Sequence, residues 1–326
     1  MTAATLPLVR TRAWSPGLRL AVLGGLALAA ILAFLLIDTA GNWDFALAFR
    51  GRKVAAMVLV GWATAVSTVV FQTVTNNRIL TPSIMGFDAA YAFIQTALVF
   101  VLGVTAAGTL GPYGMFGINL ALMVAFAAAL FGWLFRRGRS LYLMVLVGIV
   151  LGTLLRGLSS LLTRVMDPTS FLVVQGNLFA SFNAVHPELL GIAALIIAAA
   201  SAWLWTRRRA LDVLLLGRDA AIGLGINHRR EVLGVLGVAT VLVATSTALV
   251  GPITFLGLIV ANLAYLMAGT HRHAIVLPFA ALLGVVALVG GQAILEHVFG
   301  LSTVLSVIIE FVGGIAFIAI VLRGAK

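Results

Sequence analysis

Apolar residues run almost unbroken along this chain, interrupted at short intervals by glycine, proline and basic residues. Stretches near the ~20 residues that carry a helix across a ~30 Å hydrocarbon core fall at 19–37, 53–74, 83–104, 114–135, 141–163, 188–206, 231–250, 253–268, 274–296 and 303–322. The eighth follows Gly251 and Pro252 and is short, which predicts a tilted or partly re-entrant helix. The pattern predicts an all-α, polytopic membrane protein of about ten transmembrane helices, a single domain over residues 1–326 with a short leading segment, 1–18. One stretch breaks it. Within the loop 207–230, Leu214–Arg230 reads LLLGRDAAIGLGINHRR, a short amphipathic pattern broken by glycines and closed by basic residues. A polar element of this size at a membrane face calls for a partner.

Composition agrees with the pattern and narrows the chemistry. Hydrophobic residues make up 62% and charged residues 10% of the 326, and the mean hydropathy is +1.15, far from the composition of soluble domains. The 34 glycines against 8 prolines suit close helix packing in lipid, and the pair Gly148 and Gly152 is one such contact motif. With no cysteine, disulfides and thiolate metal or redox sites are excluded.

Of the 21 basic residues, a cytoplasmic N-terminus and ten crossings would place Arg10, Arg12, Arg19, Arg78, Arg136, Arg137, Arg139, Arg207, Arg208, Arg209, Arg218, Arg229, Arg230, Arg272, Arg323 and Lys326 inside. Arg50, Arg52, Lys53 and Arg164 fall outside. The positive-inside bias therefore predicts both termini in the cytoplasm, and the pI near 11.5 reports topology. Basic residues dispersed over loops do not form a nucleic-acid stripe. The first apolar run is longer than a signal-peptide core and lacks a small-x-small cleavage site before Asp38–Asn42, so it reads as an uncleaved helix.

Little in the chain could do covalent chemistry. There is no G-x-x-x-x-G-K-[ST] phosphate cradle; Gly223-x-Gly225 is too short for a dinucleotide fingerprint, and His271 and His273 read as solvated loop residues. Asp88, Arg156 and Glu310 lie in or near the third, fifth and tenth spans, where ionisable groups are costly. They fit either a proton relay or, favoured for one arginine and two acids spread over three helices, internal pairing or snorkelling. Arg50-Gly51-Arg52-Lys53 is a basic cluster on the side that should be poor in basic residues, which suggests docking of an acidic partner outside.

Three segments carry a resemblance. VGWATAVSTVVFQTVTNNRILTPSIMG, Val60–Gly86, whose Pro82 can open the next helix, resembles the signature of the permease family of type II ABC importers for siderophores, haem and vitamin B12. LLLGRDAAIGLGINHRR is similar to that family's coupling-helix region. TALVGPITFLGLIVANLAY resembles its G-x-I-x-F-x-G-L motif, here Gly251, Ile253, Phe255, Gly257 and Leu258. The resemblance spans residues 45 to 323, with the motifs in the expected order.

The resemblance implies the type II ABC importer permease fold in the bacterial inner membrane. It further implies a dimer around a translocation pathway, two copies of a cytoplasmic ATPase, an extracytoplasmic binding protein and a ferric siderophore as cargo. ATP and Mg would sit on the ATPase, with no cofactor or metal on this chain. ATPase coupling would map to Asp212–Ile226, best matched by Leu214, Leu215, Leu216, Gly217, Ala221 and Gly225. Binding-protein docking would map to Arg50 and Lys53, with Arg52 additional, and the fifth helix would line the pathway. The chain departs from the family at Val260–Tyr265, Asn77-Arg78-Ile79 and Ser302–Leu305, which resembles the subgroup whose two different permeases form a heterodimer. Haem or cobalamin as cargo, an ion-coupled secondary transporter and a membrane-embedded enzyme are the alternatives; the last lacks any convergent nucleophile or metal set.

Overall fold

Helix-starting and helix-packing chemistry sets the architecture. The computed structural model describes residues 15–37, 43–136, 141–183, 185–300 and 305–324; Arg10, Arg12, Asp38–Asn42, Arg137, Arg139, Ser302–Val304 and Lys326 lie outside them. In chain order the helices are α1 (Pro16–Leu36), α2 (Trp43–Thr75), α3 (Phe87–Thr109), α4 (Gly111–Arg136), α5 (Leu141–Val165), α6 (Pro168–Asn177), α7 (Pro187–Thr206), α8 (Arg208–Leu214), α9 (Arg218–Gly223), α10 (His228–Val250), α11 (Leu256–Ala268), α12 (His273–Val285), α13 (Gly291–His297) and α14 (Leu305–Gly324). A π turn, Val286–Gly290, joins α12 and α13 into one crossing. No strand occurs among the described residues.

Among the described residues eight helices are long and apolar enough to cross a membrane; α11 is a shorter apolar helix, and α14 is apolar over Leu305–Ile318. Together they occupy the ten predicted runs. α11, at 13 residues, is about 20 Å long at 1.5 Å per residue, so it cannot span the core alone. Pro16, Pro168 and Pro187 open α1, α6 and α7, where a missing N–H is harmless. The Ser15 hydroxyl caps α1 by accepting from Leu18 N at 3.3 Å. The Asp167 carboxylate caps α6 by accepting from Ser170 N at 2.9 Å, and the bonds from Ser170 hold its carboxyl below the usual range.

The core forms around α2, which packs on α10 and α12 and more lightly on α7 and α11. Its polar residues turn inward and are largely satisfied within the helix: the hydroxyls of Thr68 and Thr75 donate to the carbonyls of Thr64 and Phe71, one turn back. Small residues set the spacing. A Cβ on Gly61 would lie 2.6 Å from the Gly284 carbonyl oxygen of α12, so these helices meet backbone to backbone.

Two predicted boundaries shift. The third span begins at Phe87, because Ser83–Met85 is a 3₁₀ turn and Gly86 turns the chain with φ 97. That turn seats on α5: a Cβ on Gly86 would meet the Gly148 oxygen at 2.9 Å and the Gly152 Cα at 3.0 Å. The second helix begins at Trp43, ten residues before the predicted start. A further element was not predicted. After α5, α6 folds back, and Ser181 N donates to the Val250 carbonyl at the end of α10 at 2.9 Å, while Tyr91 of α3 donates to the Asn177 carbonyl at 3.3 Å.

Candidate functional site: the coupling segment and the charged positions

The loop 207–230 folds as two short helices, α8 and α9, at the same end of the molecule as the α2–α3 and α11–α12 turns, and the LLLGRDAAIGLGINHRR stretch runs from the last residue of α8 through α9 into the first turn of α10. Gly217 separates them with φ 93 and ψ 172, a conformation open essentially to glycine alone. Gly225, at φ 82, ends α9 as a Schellman motif: Ile226 N donates to the Ala221 carbonyl at 3.0 Å and Gly225 N to that of Ile222 at 2.9 Å. The Asn227 side chain then accepts from Arg230 N at 3.1 Å and starts α10. At the base, Arg207 and Glu231 form an ion pair of 2.8 Å that ties the start of α8 to the first turn of α10.

Of the six coupling candidates, Leu214 and Ala221 are buried within the chain itself, and Leu215 is partly buried. Leu214 and Ala221 anchor the segment to the body of the chain. Leu216 is 64% exposed, and the apolar surface it begins is completed by Ile222 at 51% and Leu224 at 62%. The alternation of apolar residues flagged the segment, but which of them point outward follows from the break at Gly217.

A second group escaped the sequence reading. Asp212 of α8 accepts at 2.7 Å from both the backbone N and the Nδ1 of His273, the first residue of α12. The imidazole is fully buried, and its Nε2 lies 2.7 Å from the Thr73 hydroxyl of α2. With Nδ1 donating to Asp212, Nε2 is the acceptor for Thr73. His273, expected to be a solvated loop residue, is thus a buried junction of α8, α12 and α2. Beside it, a cavity of about 700 Å³ is lined by Arg78, Asp212, Leu215, Leu216, Tyr265 and Arg272, among others. Arg78 stacks 4.1 Å from the Tyr265 ring centroid and lies 3.0 Å from His271 Nδ1.

At the opposite end the basic cluster divides. Lys53 is buried, its Nζ 2.8 Å from Glu296 Oε1 of α13 and stacked over Phe34 and Phe49 at 5.9 and 5.3 Å. Gln292 holds the same oxygen at 2.6 Å. Arg50 donates to the Ile37 carbonyl and, at 3.4 Å, to that of Phe34, covering the C-terminal end of α1. Two of the three residues assigned to docking therefore serve the chain's own packing, and Arg52 remains exposed.

Asp88 and Glu310, far apart in sequence, converge on Thr254 in the turn before α11. Asp88 is buried and accepts from the Thr254 hydroxyl at 2.9 Å; Glu310, half-buried on α14, faces the same hydroxyl. The charge of Arg156 reaches Asp88, yet no carboxylate among the described residues is within ion-pair distance of it, and its side chain is exposed on α5. Among the described residues no group of three or more potential metal ligands occurs.

An all-helical membrane body with a protruding, apolar-tipped pair of short helices at one face defines a transport permease. The profile of the FecCD transport family matches residues 19–323, and the chain belongs to that family. It is 45% identical over 310 residues, 95% of this chain and 98% of the relative, to the petrobactin import system permease protein YclO of Bacillus subtilis. With the petrobactin import system permease protein FatC of Bacillus anthracis it shares 37% over 271 residues, 83% of this chain and 77% of that protein. A metal-chelate type ABC transporter solved in an inward-facing conformation superposes with a TM-score of 0.83 at 23% identity, covering 95% of this chain and all of that one.

Proposed function

We propose that this chain is a permease subunit of an ATP-driven importer of a ferric siderophore, petrobactin or a chelate of similar chemistry. The observation that carries the reading is the near full-length similarity to YclO, an import permease for petrobactin. In this reading the chain catalyses no covalent chemistry and binds no cofactor; ATP and Mg belong to two copies of a cytoplasmic ATPase. The apolar tip formed by Leu216, Ile222 and Leu224 suits a groove on that ATPase, with Leu214 and Ala221 holding the tip to the body. A binding protein delivers the chelate at the opposite face, where Arg52 is the exposed cation that would steer an acidic surface. A second permease, identical or paralogous, covers exposed apolar surface of α5 and α14. The bias of basic residues supports a cytoplasmic-membrane protein with both termini inside.

The test is uptake into proteoliposomes holding the permease pair, its ATPase and its binding protein. ATP-dependent accumulation of radio-iron as ferric petrobactin or another ferric chelate is expected, without dependence on a proton gradient and lost with an ATPase-dead partner. Uptake of haem or cobalamin with no ferric chelate transported would overturn the siderophore assignment. Uptake that survived the dead ATPase and followed the proton gradient would make the chain a secondary transporter.

A further inference from the structure

α5 is the least buried of the membrane-crossing helices, and its exposed surface has two characters. Leu154, Leu158, Leu161 and Val165 recur at helical spacing as an apolar stripe, as lipid or a protein partner requires. Beside it, Thr153, Arg156, Gly157, Ser160 and Arg164 recur at i, i+3, i+4, i+7 and i+11 and are also exposed. That stripe is polar only on the side of Arg164. On the same face nearer the start of α5, Ile149 and Leu146 replace it.

Arg156 lies nine residues before the end of α5, about 14 Å along the helix. An arginine at that depth facing hydrocarbon costs at least ~2.5 kcal/mol. Among the described residues no ion pair relieves that cost: Asp88 is buried and engaged by Thr254, Glu310 faces the same hydroxyl, and Asp167 caps α6. Gly148 and Gly152 press α5 onto Gly86 and fix its rotation. The guanidinium is therefore held toward open space beside the carboxylates, not against them.

The importer reading sets α5 along the translocation pathway, and we propose that this polar half-stripe is the part of it that selects the cargo, open toward the Arg164 end. Arg156 is its specificity-determining residue, presenting a planar fork of N–H donors to the carboxylate or catecholate oxygens of an anionic ferric chelate. The apolar continuation at Ile149 and Leu146 closes the wall toward the coupling side. This inference rests on the importer reading above and names the chemistry of its cargo.

Because the chain has no cysteine, single cysteines report the stripe directly. In the assembled importer, Ser160→Cys should react with an anionic sulfonate methanethiosulfonate on the order of tenfold faster than with a cationic trimethylammonium one, after correction for their rates with a free thiol. Adding Arg156→Gln should abolish the preference and Arg156→Lys should keep it. Leu158→Cys on the apolar stripe should stay unreactive, and a ferric tris-catecholate should protect Cys at 160 where a neutral ferric trihydroxamate does not. In uptake, Arg156→Gln should raise the KM for the anionic chelate with ATP hydrolysis unchanged. An unreactive Ser160→Cys, as burial against lipid or a second subunit would give, overturns the proposal, as does reactivity indifferent to reagent charge or to Arg156. A wild-type importer that moved no ferric chelate would sink the importer reading and leave the reagent preference intact, so the two failures are told apart.

Discussion

Single residues in this fold do work that their chemistry alone does not announce. Gly61 and Gly284 touch through backbone atoms, so a methyl group there can be accommodated only by moving two helices. Gly61→Ala is expected to destabilise the protein by about 1–3 kcal/mol, the usual cost of overpacking a tight core, and to lower the thermal midpoint in detergent. Gly25→Ala, where an added Cβ meets nothing within 4 Å, should leave that midpoint unchanged or slightly raised; equal behaviour of the two variants would remove the contact from the account of stability. Lys53 teaches a related lesson. In the sequence it stands in a basic run and reads as surface, but its partner Glu296 is far along the chain, and only the fold, in which α1 packs on both α2 and α13, brings the two together as an ion pair.

At the scale of elements, hydropathy located the crossings because a spanning helix must be apolar along its whole length. It could not locate α6, which at ten residues is too short for that signal. Nor could it show that α8 and α9 are separate helices with Leu214 facing in and Leu216 facing out, since that depends on the backbone angles of Gly217. The meeting of Asp88 and Glu310 at Thr254 was equally illegible, being produced by the turn before α11. The Asp212–His273 junction belongs to the same class, a capping carboxylate supplied from 61 residues away. Removing it with Asp212→Ala should leave the N-terminus of α12 uncapped, at about 0.5–2 kcal/mol, and loosen α8 from α12 and α2. In reconstituted importer, transport per ATP hydrolysed should fall in that variant and be largely kept by Asp212→Asn, whose amide oxygen can still accept from His273 N. An unaltered ratio in Asp212→Ala would place the coupling path elsewhere.

For the whole molecule, polarity of insertion is the property on which every functional assignment depends. The coupling tip and the Arg52 surface lie at opposite ends, so they must label from opposite sides of the membrane. In right-side-out vesicles an impermeant maleimide is expected to label Arg52→Cys directly and Ala220→Cys only after permeabilisation; the reverse pattern would invert the topology and with it the roles of the two faces. The same geometry gives meaning to the π turn at Val286–Gly290. A π turn holds an extra residue in the helix, and one residue corresponds to a rotation of about 100°. Everything after it, including Gln292 and Glu296, is turned relative to the α12 face that packs on α2 through Gly284. The turn is a retained insertion that sets the phase between two halves of one crossing: were its five residues to wind as ordinary α-helix with none removed, Glu296 would be carried about a quarter turn around the helix and Lys53 stranded as an unpaired charge, whereas deleting one of them would keep the two in phase.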